Sequence, residues 1–168
     1  MKRFLLFCLN IALFYPSTFA QIQTKIQGLS LGKTTKNSAI SIMKNKGYNL
    51  EYNDGTYICY KPISFGGVTW EGIEISFMEN KVSSITFQIT YAKEEKLNSF
   101  YSNISGKLNK YSRYKRTSGT SNSGFDRSEH YSDGIVSVNL KQTYLPSSLY
   151  LTYTYIKEII SQVGADEL

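Results

Sequence analysis

The chain has 168 residues, 19 of them basic and 13 acidic, with a single histidine and two cysteines. That length holds one ordinary domain with a real core. The mild, dispersed positive charge and the absence of a recognisable motif exclude a dedicated nucleic-acid binder, and metal and hydrolytic chemistry are thinly supplied.

Lys2 and Arg3 precede an apolar run from Phe4 to Tyr15, broken only by Asn10. Pro16 and Thr18-Phe19-Ala20 follow. A basic start, an apolar run and small residues at a cleavage position describe a secretory signal peptide over residues 1–20. The run is shorter than the about 20 residues of a spanning helix. The expectation is an exported chain, periplasmic or secreted, beginning at Gln21 and carrying no integral membrane segment after cleavage. Cys8 leaves with the signal, so Cys59 has no intramolecular disulfide partner. Set among Tyr57, Ile58 and Tyr60, it reads as a small buried hydrophobe.

Residues 21–33 read as extended, with a short edge strand near Gly28–Gly32. Thr34 or Thr35 caps a helix through about Lys46 that turns Ala39, Ile40 and Met43 inward and stops at Gly47. Tyr48–Tyr52 and Thr56–Tyr60 flank Asn53-Asp54-Gly55, a hairpin signal because the turn requires positive φ. Pro62 marks a bend.

Gly66–Tyr91 reads as one long hairpin at the centre of a single sheet. Ile73, Ile75 and Phe77 alternate with polar residues, and so do Ile85, Phe87, Ile89 and Tyr91. Val68 and Trp70 fall out of phase with the first set, which places a bulge near Glu71-Gly72. Leu97, Tyr101, Ile104, Leu108 and Tyr111 then recur at steps of four and three, one stripe of a helix over about Lys93–Tyr111. The basic cluster Lys107, Lys110, Arg113, Lys115 and Arg116 lies on its solvated face and runs into a mobile loop at 117–124. Asp126–Ser132 and Ile135–Thr143 flank Asp133-Gly134 as a second hairpin, Ser148–Tyr155 is a last strand, and Ile156–Val163 is a short closing helix before a frayed tail at 164–168. The domain expectation is therefore residues 21–168 as one α+β unit. It comprises an antiparallel β-sheet with two helices packed on one face, in a duplicated helix-then-strands layout.

The segments Leu31-Gly32, Thr35, Ile42-Met43 and Lys46-Gly47-Tyr48, with Phe65-Gly66-Gly67-Val68, Ile75-Ser76-Phe77 and Asn80-Lys81-Val82, resemble small secreted proteins of Bacteroides-type bacteria. The architecture of that group resembles the β-lactamase-inhibitor-protein-like fold and is also similar to small outer-membrane-assembly lipoproteins. The resemblance implies a layout. It carries no functional residue across, and the chain has neither a lipobox cysteine nor the cysteines for two disulfides.

His130 has acids at Asp126 and Asp133, but no Gly-x-Ser-x-Gly accompanies it. No zinc spacing, calcium loop or phosphate loop is present, and the expectation is no cofactor and no catalytic residue. Fourteen tyrosines stand out instead. Tyr52, Tyr57, Tyr150 and Tyr60 are expected on the strand face away from the helices, interleaved with Thr152 and Gln88. Tyrosine suits strands on its own account, and on an open sheet it also provides large contact area at low entropy cost. The functional expectation is a non-catalytic exported protein that binds a protein partner through Tyr52, Tyr57, Tyr150, Thr152 and Gln88. The alternatives are an assembly role at the outer membrane or a hydrolase using His130 or Cys59.

Overall fold

The computed structural model describes residues 21–120 and 126–156. The expected signal peptide, residues 121–124 of the expected loop, the expected frayed tail and all but the first residue of the expected closing helix lie outside them.

Two short strands, β1 (Lys25–Ile26) and β2 (Leu29–Ser30), form their own two-stranded sheet. Helix α1 (Lys36–Asn45) starts where Thr35 Oγ1 accepts the Ser38 backbone N–H, and it sets Ala39 and Met43 into the core. An eight-stranded antiparallel sheet is built from β3 (Leu50–Asn53), β4 (Tyr57–Tyr60), β7 (Gly72–Met78), β8 (Lys81–Thr90), β9 (Lys115–Thr120), β10 (Arg127–Ser132), β11 (Val136–Thr143) and β12 (Ser148–Tyr155). Their spatial order is 3-4-7-8-12-11-10-9. Helix α2 (Glu94–Leu108) continues into a 3-10 turn, Asn109–Tyr114, which keeps Tyr111 buried. The protein is thus mixed α+β and mostly β. Each half runs helix, then four strands of the large sheet in sequence, and the halves meet through the last strand of each, β8 against β12.

Both aspartate–glycine turns form. Asp54 Oδ1 accepts the Thr56 and Tyr57 amides, and Asp133 Oδ1 accepts those of Ile135 and Val136. Gly55 and Gly134 supply the positive φ that closes each turn.

The expected long central hairpin is shorter and the sheet is not single. Strand β6 (Val68–Trp70) leaves the large sheet to pair with β5 (Ile63–Phe65), so only Gly72–Thr90 forms the hairpin. At Glu71, between β6 and β7, the carboxylate accepts the Thr90 amide at 2.8 Å and hydroxyl at 3.1 Å. The Glu71 amide donates at 3.0 Å to the carbonyl of Gln88, the register partner of Gly72, so two residues stand opposite one near Glu71-Gly72. A register shift also lies further along, where Ser76 pairs with Ser84 but Phe77 pairs with Val82. Ser83 is the extra residue, and it turns Val82 into the core out of phase with Ile85. Tyr91 was expected inward. It takes φ +56° just past the strand end and stands 84% exposed. Thr117–Thr120, expected as loop, continue edge strand β9 beside β10.

Register assigns the two faces. Ile58 and Tyr60, Ile73 and Ile75, Ile85, Phe87 and Ile89, Leu149, Leu151 and Tyr153, Val138 and Leu140 share one face and are buried. Helix α2 lies on that face: Ser105 Oγ donates to Glu129 at 2.9 Å, and the Arg127 guanidinium stacks on Tyr101 at 3.9 Å. Glu129 also accepts the Tyr131 hydroxyl and pairs with Lys115 at 3.2 Å. Phe65 and Trp70 of the small β5–β6 hairpin close over Phe87 on the same face.

Candidate functional site

The opposite face is polar and half-exposed. One row across the strands reads Tyr52, Cys59, Glu74, Thr86, Thr152, Asn139, His130, and its neighbour reads Gln88, Tyr150, Lys141, Ser128. Paired residues of adjacent antiparallel strands put their side chains on one side of the sheet. The register therefore brings all five expected binding residues to this face. Thr152 is fixed there by a 3.1 Å hydroxyl hydrogen bond to Thr86, and Tyr150 sits between Gln88 and Lys141.

At the β3 end the face sinks into a depression of about 350 Å³ whose lining includes Tyr52, Tyr57, Cys59, Lys61, Glu74 and Gln88. Tyr52 and Tyr57 meet there with ring centroids 5.2 Å apart. Desolvation first, and the neighbouring Tyr52 second, raise the Tyr57 phenol above its ordinary value, so Tyr57 presents a neutral hydroxyl at neutral pH. Gly72 forms part of the floor, where a Cβ would come within 3.4 Å of Lys61 Cγ and 3.5 Å of the Tyr60 carbonyl. Tyr60 itself is a correction: β4 alternates Tyr57 and Cys59 outward with Ile58 and Tyr60 inward, and Tyr60 is buried on the core face.

Cys59 is half-buried, and desolvation, then the Glu74 carboxylate, push its thiol up. That favours the unreactive protonated form. His130 stands on the same row but five strands away from Cys59, about 24 Å at the usual spacing of about 4.8 Å per strand. The two cannot act on one substrate atom. Among the described residues no three potential metal ligands cluster, and no helix is long and apolar enough to cross a membrane.

Comparison of the chain with family models, with curated proteins and with solved structures gave no match in any of the three.

Sequence patterning did not reveal Lys61 and Glu51, which line the depression from outside the alternating pattern of β4 and β7. It also missed the exposed end of the sheet. There Tyr91, Tyr144 and Leu145 project beyond the Thr90–Ser148–Thr143 register. An aromatic residue immediately past a strand end, and a leucine inside a turn ahead of proline, were the available signals for that feature.

Proposed function

We propose that the protein is an exported, non-catalytic binding protein that takes a protein partner on the polar face of its large sheet, with both helices on the other face. The observation that carries this reading is the pair of adjacent rows on one face, Thr86 and Thr152 in one and Gln88 and Tyr150 in the other, which lead to the depression at Tyr52 and Tyr57. Rigid aromatic anchors amid adaptable hydroxyls suit a broad protein surface, because tyrosine loses little conformational entropy when a partner covers it. The strands beneath hold them in register, so little reorganisation is required on binding. The repeated helix-then-four-strands order supports placing the chain beside secreted proteins that resemble the β-lactamase-inhibitor-protein-like fold.

A photo-crosslinking amino acid placed at Gln88, with a control at Lys44 on α1, tests the proposal in cells that export the protein. A discrete adduct from Gln88 and none from Lys44, lost in the Tyr57→Ala and Tyr150→Ala variants, is the expected result. Equal adducts from both positions, or an adduct indifferent to both tyrosines, would remove the sheet face from the account.

A further inference from the structure

We propose a second, separate site: a small carboxylate-binding pocket headed by Arg127, between α2 and the start of β10. Arg127 and Gln142 are register partners on the face that α2 covers. Arg127 Nε and Nη2 both donate to Gln142 Oε1, at 3.1 and 2.9 Å, and Nη2 also donates to Asn98 Oδ1 at 2.9 Å. Gln142, buried with only 5% exposure, donates its Nε2 to the same Asn98 oxygen at 2.9 Å. A guanidinium only donates, so the amide atoms it meets are oxygens and the orientation of both amides is fixed.

The consequence, within the network of Asn98, Arg127 and Gln142, is an imbalance of donors over acceptors. Gln142 Oε1 and Asn98 Oδ1 each accept twice, which uses the two lone pairs of each. The Nη1 hydrogens of Arg127 and the Nδ2 hydrogens of Asn98 have no acceptor among the hydrogen bonds of the described residues. No carboxylate of those residues lies within ion-pair distance of Arg127 either. Arg127, Asn98 and Gln142 line a polar pocket of about 120 Å³ together with Thr143 and Ser147, whose hydroxyls donate to the Pro146 and Ala92 carbonyls. With about 30 Å³ per water molecule, the space holds about four waters, or one carboxylate and a short substituent. An arginine already locked by a ring and three hydrogen bonds pays little further ordering entropy when an anion arrives.

Glu94 also lines the pocket, and its carboxylate offsets the Arg127 charge, which weighs more against a dianion than against a singly charged anion. That disfavours a phosphate dianion relative to a carboxylate. The carboxylate could belong to a free organic acid or to a peptide C-terminus, which share the same recognition chemistry.

The test uses the full-length isotope-labelled protein at constant ionic strength, following the Asn98 and Gln142 side-chain amide signals by NMR. Acetate should shift them saturably, and acetamide, its uncharged isostere, should not. Arg127→Gln should weaken acetate at least about tenfold, the effect of losing a charge-assisted hydrogen bond. Glu94→Gln should tighten it by about two- to fourfold. Asn98→Asp, which places a carboxylate beside Arg127 without emptying the network, should abolish saturation in a folded protein even where Arg127→Gln unfolds. N-acetyl-alanyl-alanine binding more tightly than acetate assigns the site to a peptide terminus, and the reverse assigns it to a free acid. Equal shifts with acetate and acetamide, or unaltered acetate binding in Asn98→Asp, would overturn the proposal.

Discussion

Phe87→Ala is the most informative single perturbation of the core. The ring is fully buried, stacks on Phe65 with centroids 4.4 Å apart and planes at 5°, and meets Trp70 at 5.6 Å. Its strand neighbours are Ile73 and Leu151. Loss of transfer free energy and the resulting cavity cost about 3–5 kcal/mol for a buried phenylalanine. Each aromatic pair adds about 0.5–1.5 kcal/mol beyond its buried area. The expected loss therefore lies in the upper part of that range, a large share of the about 5–15 kcal/mol that holds an ordinary domain folded. Urea unfolding monitored by the single tryptophan, Trp70, reads both the midpoint and the slope. A double-mutant cycle with Phe65→Leu and Phe87→Leu should give a coupling of about 0.5–1.5 kcal/mol. A loss below about 2 kcal/mol for Phe87→Ala at unchanged slope, or a coupling of zero, would refute the view that this ring fastens the β5–β6 hairpin to the main sheet.

Three further outcomes follow from the same geometry. Burial opposes ionisation of Glu129, but hydrogen bonds from Tyr131 and Ser105 and the Lys115 ammonium outweigh it and hold the carboxyl below its ordinary 4.5. Its stabilising contribution is therefore present above 4.5 and lost as pH falls through the folded value; Glu129→Gln should flatten the dependence of the urea midpoint on pH below 4.5. Desolvation pushes the Tyr101 phenol up to about 12, and Tyr131 and Tyr153 are also raised, so ultraviolet titration should leave these three protonated at pH 11 while stability declines as pH rises above 10. Gly32→Ala should cost at least about 2 kcal/mol by thermal or urea unfolding, because φ is +70° and a Cβ would lie 2.5 Å from the Tyr155 ring; adding Tyr155→Ala should recover the clash but not the backbone strain.

Local signals in the sequence were strongest where a residue's chemistry leaves one solution. Asp54-Gly55 and Asp133-Gly134 placed two hairpins within a few residues, and the Leu97–Leu108 stripe placed α2. What was not legible depends on contacts distant in sequence. Val68–Trp70 alternate as well as any strand, and nothing local says that their partner is β5 rather than β8. The bulge at Ser83 leaves no glycine to mark it. The small polar run at 117–120 looks like a loop, yet β10 supplies the backbone partners that make it a strand. At the polar face, alternation sufficed for Tyr57, Thr152 and Gln88, and it also places Tyr60, three residues after Tyr57, on the opposite face; the expectation that both share one face broke the period of two. The Arg127 pocket was invisible, since it assembles Asn98, Arg127 and Gln142 from three elements.

The seam between β8 and β12 has a consequence for the order of assembly. Each half of the large sheet is built within one stretch of the chain, but the seam pairs Thr90 with Ser148 and closes only after the whole second half exists. Non-local pairing of this kind is slow to form. Until β12 arrives, β8 presents an unpaired edge in what becomes the middle of the sheet, with Ile85, Phe87 and Ile89 bordering it. Exposed edges of that composition recruit other chains. Among the described residues the last strand in the chain is thus also the one that seals this aggregation-prone border, and a chain truncated before Ser148 would carry two such borders facing each other with nothing between them.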